Sequence, residues 1–261
     1  MHILVMDILD HRLYLAPMPE TPKKVMDIAT GIGLWAIEMG DRNPDTCVLG
    51  LDLSPIQPTS VPPNVTFQID DIEDTWVHDN DFDLIHMREA AAYMTQTPKV
   101  IESALAHLKP GGWFELQEFH WVAEKDDGEI DPNNPINIFL DRLIEAAKKE
   151  GINVPIVPTI GDIMRRAGYV DVEKKTFRVP YGTWSTDIAE RRRGACFTVN
   201  ADLLLPAYSH LLSNVGIEHD QAENLYDDIF KAINDDTLHI FATYHVWYGR
   251  KPSDESRSSA E

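Results

Sequence analysis

The chain has 261 residues, 43% of them apolar, which is enough for one large α/β core or two small ones. Acidic residues number 43 against 23 Lys and Arg; the net charge of −20 repels phosphate backbones and anionic lipid and argues against nucleic acid or a membrane surface as partner. Cys47 and Cys196, the two cysteines, offer no metal-ligand spacing and fit inert thiols in a reducing compartment.

The opening "MHILVMDILDHRLYLAPM" is apolar in part, but Asp7, Asp10 and His11 interrupt it and no basic region precedes it. It therefore predicts neither a signal peptide nor an anchor. No other window reaches the roughly 20 apolar residues that a bilayer requires, so a cytoplasmic protein is expected.

From residue 24 short β-rich runs alternate with helical ones. "KVMDIA" predicts a strand, "GLWAIEMGDRN" a helix, "CVLGLDLS" a second strand, "VTFQID" a third and "FDLIHMR" a fourth. The helix "TPKVIESALAHL" follows, with apolar residues at Val100, Ile101, Ala104, Leu105 and Leu108, and "KPGG" predicts a turn into a fifth strand, "WFELQEF". Strands separated by helices imply a parallel sheet wound by right-handed crossovers.

Beyond Glu118 the rhythm changes. "DDGEIDPNNP" reads as a loop, "INIFLDRLIEAAKKEG" as a helix, "TIGDIMRRAG" as a helix stopped by Gly168, and "YVDVEKKTFRV" as a sixth strand. Residues 184–236 carry helical runs only, and "HIFATYHVWYG" predicts a seventh strand. The expected fold class is α/β: a Rossmann-like, seven-stranded, mostly parallel sheet with helices on both faces and a helical insertion before the last strand. A single domain over 1–252 is expected, with the insertion at about 184–236 forming a lid over an acceptor pocket, and the polar residues 253–261 disordered.

In an open α/β sheet, ligands sit beyond the carboxyl ends of the strands, and here those ends are acidic. The first strand carries Asp27 into a turn with Ala29, Gly31 and Gly33, the second ends at Asp52, and the third at Asp70, Asp71 and Glu73. Small residues let a ligand approach main-chain N–H groups. A carboxylate after strand two can accept hydrogen bonds from both ribose hydroxyls, and one after strand three can accept from an adenine amine. Gly31, Gly33 and Ala36 also match the spacing of dinucleotide enzymes, with Asp52 at about the expected 20 residues. Asp27 favours S-adenosylmethionine, because it attracts an ammonium and repels a pyrophosphate.

"DIATGIG", "GLDLSPIQP", "VPPNVTFQIDDIEDTW", "FDLIHMR" and "LKPGGWFELQE", in that order, resemble the class I S-adenosylmethionine-dependent methyltransferases, and in particular the fungal LaeA-like group of secondary metabolism. The resemblance implies that Asp27, Ala29, Gly31 and Gly33 line the methionine end of the cofactor. It likewise implies Asp52 at the ribose with Leu53 beside it, Asp71 with the backbone of Ile72 at the adenine, and Met87 and Arg88 at the sulfonium. Two positions depart from the family pattern. Ala29 replaces the first glycine of the turn, which a methyl group satisfies where φ is not left-handed, and Gln96 with Thr97 replaces an acidic-Trp pair.

Glu118 and His120 follow strand five at the mouth where an acceptor would sit, and are either a structural pair or the catalytic one, His120 taking a hydroxyl proton. "ERRRG", residues 190–194, reads as a solvated helix face or a site for an anionic acceptor, the first being favoured. Trp35 and Trp113 are expected in the core, Trp76 at an adenine edge. A small-molecule acceptor and no metal are expected; the oligomeric state stays open, a homodimer being one allowed state. Two rival readings remain: a LaeA-like regulator binding protein partners in the nucleus, and an enzyme of the same fold using the sulfonium for a rearrangement without methyl transfer.

Overall fold

A computed structural model describes residues 1–18 and 20–253; the tail expected beyond 252 falls almost wholly outside them. Seven strands, β1 (Lys24–Ile28), β2 (Cys47–Asp52), β3 (Val65–Ile69), β4 (Phe82–Arg88), β5 (Leu108–Lys125), β6 (Val170–Pro180) and β7 (Ile240–Arg250), form one sheet in the order β3-β2-β1-β4-β5-β7-β6. Neighbouring strands from β3 to β5 pair in parallel, so their carboxyl ends lie side by side at one edge. β7 runs against β5, as the backbone bonds of Gly111 and Gly112 with Lys251 show. The expected α/β, Rossmann-like, mostly parallel sheet is the observed one.

Eight helices accompany the sheet among the described residues: α1 (His2–Ile8), α2 (Leu34–Arg42), α3 (Thr97–His107), α4 (Pro135–Lys149), α5 (Ile160–Ala167), α6 (Ile188–Leu204), α7 (Ser209–Ser213) and α8 (His219–Ile233). Their ends follow the local chemistry. The Asn134 side chain accepts the Ile136 N–H to start α4, and Gly168 at φ 104 closes α5. α2 lies over β2 and β3, where Val65 and Phe67 occupy the space left by Gly40, Gly33 and Gly50. No helix of the described residues is long and apolar enough to cross a membrane.

The chain divides into two compact units. One contains, among the described residues, 12–118, 155–175 and 246–253, and holds the parallel part of the sheet and α2, α3 and α5. The other contains residues 1–11, 119–154 and 176–245, with α1, α4, α6, α7 and α8.

One local expectation is corrected. "KPGG" is no turn between elements but part of β5, which starts at Leu108; the β4–β5 register shifts at this point, and a Cβ on Gly112 would lie 2.8 Å from the Phe82 carbonyl oxygen. The N-terminal residues form α1, which buries Leu4, Val5 and Ile8. Two arginines of "ERRRG" tie the N-terminal segment to α6, Arg192 meeting Asp7 at 2.5 Å and Arg193 meeting Asp10 at 3.9 Å, while Arg191 Nε donates to the Ser185 carbonyl at 3.0 Å. Arg191 and Arg192 remain exposed, in keeping with the favoured solvated face, while Arg193 is less exposed.

Candidate active site

The turn after β1 has three residues in left-handed conformation, Ala29 (φ 54), Gly31 (φ 58) and Gly33 (φ 80). Ala29 therefore does not escape the strain that its glycine counterpart avoids, a cost of roughly 1–2 kcal/mol for an L-residue. Gly33 is required on a second count, since a Cβ there would lie 2.3 Å from the Phe67 ring. Gly31 has nothing within 4 Å of its Cβ position, so the turn opens onto free space at that residue. This is backbone that a ligand could approach.

Asp52, at the end of β2, braces the turn: Oδ2 accepts the Gly31 N–H at 2.7 Å and Oδ1 the Ser54 N–H at 3.0 Å. Gln57 Nε2 donates to the Gly31 carbonyl at 2.6 Å and to the Ser54 carbonyl at 2.9 Å, closing the loop after β2 onto the same glycine. Each Asp52 oxygen keeps a lone pair for a further donor. Leu53, 67% exposed, flanks it.

After β3, the Asp70 N–H donates to the Asp52 carbonyl, which joins the two strand ends. Asp70 itself pairs with His78 at 2.7 Å, while Asp71 Oδ1 accepts the Glu73 N–H at 2.9 Å. Ile72 is buried and its carbonyl accepts Trp76 Nε1 at 2.8 Å. Trp76 is buried as well, its ring 5.0 Å from that of His107. Glu73 accepts the Thr95 hydroxyl at 3.0 Å and the Gln96 N–H, fixing the approach to α3.

Asp27 is 2% exposed. Oδ1 accepts from His86 Nδ1 at 2.7 Å and Oδ2 from the Thr30 hydroxyl at 2.5 Å. Burial lowers the His86 pKa more than the neighbouring Asp27 carboxylate raises it, so the imidazole is neutral and this contact is a hydrogen bond rather than an ion pair. Trp35 stacks on it at 3.9 Å and 4°.

At the end of β4, the Met87 side chain is fully buried and Arg88 Nε donates to Gln117 at 2.9 Å. Glu89 follows at φ 53. Glu118, 1% exposed, accepts the N–H groups of Ala90 at 2.8 Å and Ala91 at 2.5 Å, and burial pushes its pKa up. That carboxyl shapes the loop after β4. Glu118 and His120 lie inside β5, which runs on to Lys125, rather than beyond its end as expected; the His120 ring is 5.7 Å from that of His245. His245 is held by Thr176 at 3.1 Å and Thr243 at 3.4 Å, and Thr243 donates to Glu124 at 3.1 Å. No group of three His, Cys, Asp or Glu suited to a metal occurs among the described residues.

The parallel-sheet unit thus gathers Asp27, Ala29, Gly31, Gly33, Asp52, Leu53, Asp71, Ile72, Met87 and Arg88 on four adjoining strand ends. Sequence reading missed Thr30, Gln57 and His86, which hold Asp27 and Gly31. Gln57 stands in the quoted motif "DLSPIQP" and His86 in "FDLIHMR", but only pairing distances reveal their partners.

Residues 4–174 match the family model described as a methyltransferase domain. The chain belongs to this methyltransferase family, in its fungal LaeA-like group. It is 38% identical over 200 residues to the methyltransferase pytC of Aspergillus terreus, covering 76% of this chain and 62% of that protein. It is 30% identical over 252 residues to the secondary metabolism regulator LAE1 of Gibberella fujikuroi, covering 93% and 80%. Among solved structures, a Haemonchus contortus phosphoethanolamine N-methyltransferase, in complex with S-adenosylhomocysteine and its phosphobase, superposes with a TM-score of 0.60 at 17% identity over 97% of this chain and 53% of that one. A methyltransferase-like protein of Bacillus halodurans superposes with a TM-score of 0.55 at 14% identity, over 97% and 100%. These likenesses show the fold. The chain spans less than two thirds of the pytC protein and about half of the Haemonchus enzyme.

Proposed function

We propose that the chain is an S-adenosylmethionine-dependent methyltransferase acting on a small-molecule acceptor of fungal secondary metabolism. The observation that carries the reading is the pairing of an open, left-handed glycine turn at Gly31 with acids on three successive strand ends, Asp27, Asp52 and Asp71. A dinucleotide would bring a pyrophosphate towards Asp27, whose partners His86 and Thr30 are both neutral donors; an ammonium suits that carboxylate and a phosphate does not. A net charge of −20 accords with a small metabolite rather than nucleic acid as partner.

In this reading, Asp27 with the turn at Ala29, Gly31 and Gly33 receives the ammonium end, and Asp52 accepts the ribose hydroxyls. Asp71 and the Ile72 N–H read the adenine, Leu53 covers one side of it, and Met87 and Arg88 border the sulfonium. The bound cofactor supplies an electrophilic methyl group. The chain's own task is to orient the acceptor nucleophile in line with it and to exclude water. Glu118 contributes by fixing the Ala90–Ala91 backbone, and His120 takes the proton of a hydroxyl acceptor.

Acceptor selection is assigned to the helical insertion at about 184–236. Its unit concentrates aromatic rings, with Phe197 4.7 Å from Tyr181 and Tyr208 6.0 Å from Phe139. Such rings suit a flat or apolar metabolite. Incubating the protein with methyl-labelled S-adenosylmethionine and fungal metabolite extract tests the activity: label in a small molecule is expected, and its absence across extracts argues against it. A regulatory role is the second reading, favoured by a match that reaches over 80% of the Gibberella regulator. In that case label would appear in protein.

A further inference from the structure

Asp27 is the acid on which the ammonium end of the proposed cofactor site depends, yet it is nearly inaccessible and both of its oxygens are engaged. His86 lies opposite Asp27 in the β1–β4 register and opposite Glu115 in the β4–β5 register, fully buried and backed by the parallel Trp35 ring. A neutral imidazole facing a carboxylate at 2.7 Å through Nδ1 carries its proton there. The Thr30 hydroxyl proton is likewise committed to Asp27, which leaves the Thr30 oxygen as an acceptor. Both partners orient the carboxylate and neither neutralises it. Burying an anion in this way is costly unless a positive group is to meet it.

We propose that His86 and Thr30 are positioning residues for the cofactor's ammonium: His86 fixes the Asp27 carboxylate from behind, and the half-buried Thr30 presents its own oxygen to the ammonium in front. The inference rests on the cofactor reading above and deepens it. It reassigns Asp27 from a contact residue to the charged centre of a three-residue chain, His86–Asp27–Thr30. It also gives Thr30 the direct contact.

The test compares S-adenosylhomocysteine with 5′-methylthioadenosine, which shares the adenosine and thioether and lacks the amino-acid end. Calorimetry on His86→Leu should show the homocysteine ligand weakened at least about tenfold and methylthioadenosine changed less than about twofold. His86→Asn, which restores a donor near the Nδ1 position, should recover most of the loss. Thr30→Val should show the same selective loss and Thr30→Ser should resemble the parent; this pair decides the matter if His86→Leu does not fold. Equal weakening of both ligands means a structural role and overturns the proposal, as does no weakening of either. A parent that binds both ligands equally overturns it too, while leaving the adenosine site standing. A parent that binds neither removes the cofactor reading and this inference together.

Discussion

Ala29 stands at φ 54 in the turn that would otherwise begin with glycine, and the strain is local to one methyl group. Ala29→Gly should stabilise the protein by about 0.5–1 kcal/mol, the relief of left-handed strain exceeding the extra entropy of an unfolded glycine, and should raise Tm by about 2 °C. A lower Tm would show that the methyl group packs more favourably than its backbone suffers. Asp52 makes a sharper case, because its bonds to Gly31 and Ser54 leave one lone pair on each oxygen. Asp52→Ala should weaken S-adenosylhomocysteine at least about tenfold, and Asp52→Asn less. Unchanged affinity in Asp52→Ala would remove the ribose assignment. The acids and glycines were legible in the sequence because a strand followed by small residues has few other uses. The partners Thr30, Gln57 and His86 were not. His86 reaches Asp27 across 59 residues of sequence, and nothing in its own neighbourhood marks it out.

Among the elements, the strands from β1 to β4 fall within two residues of the runs read from β-branched and apolar pattern, and β4 coincides with "FDLIHMR". β5 did not, since "KPGG" has the composition of a turn while its glycines serve a register shift inside the strand. The interior of β5 has a consequence for pH. Glu115 is fully buried; it accepts the Leu15 and Ala16 N–H groups, both at 2.7 Å, and Gln117 Nε2 at 2.6 Å, and burial outweighs these bonds to push its pKa up to about 7. The folded protein holds this proton more tightly than the unfolded chain, so the stabilisation is full below about pH 4.5 and is lost as pH rises through about 7. Urea melts should give a stability falling between those limits by up to about 3 kcal/mol, with the Glu115→Gln variant flatter over the same window. Equal slopes in parent and variant would clear Glu115 of that role. In the helical unit, replacing Phe197 or Tyr208 by Ala should alter acceptor turnover and leave cofactor affinity within about twofold. Equal losses in both would make these rings core rather than acceptor contacts.

For the molecule as a whole, the proposed assignments fall in two compact units: one holds the four adjoining strand ends with Asp27, Asp52 and Asp71, and the other holds His120 and the aromatic rings of the insertion. The α/β architecture was legible because alternating strands and helices admit few windings. The division into units was not, because β5, β6 and β7 each contribute residues to both and no Gly- or Pro-rich linker marks the boundary. The choice of cofactor bears on every functional assignment above. Calorimetry of the parent protein with S-adenosylhomocysteine and, separately, with NAD tests it most directly. Saturable binding of S-adenosylhomocysteine with no heat from NAD is the expected result; tight NAD binding with no response to S-adenosylhomocysteine would contradict it.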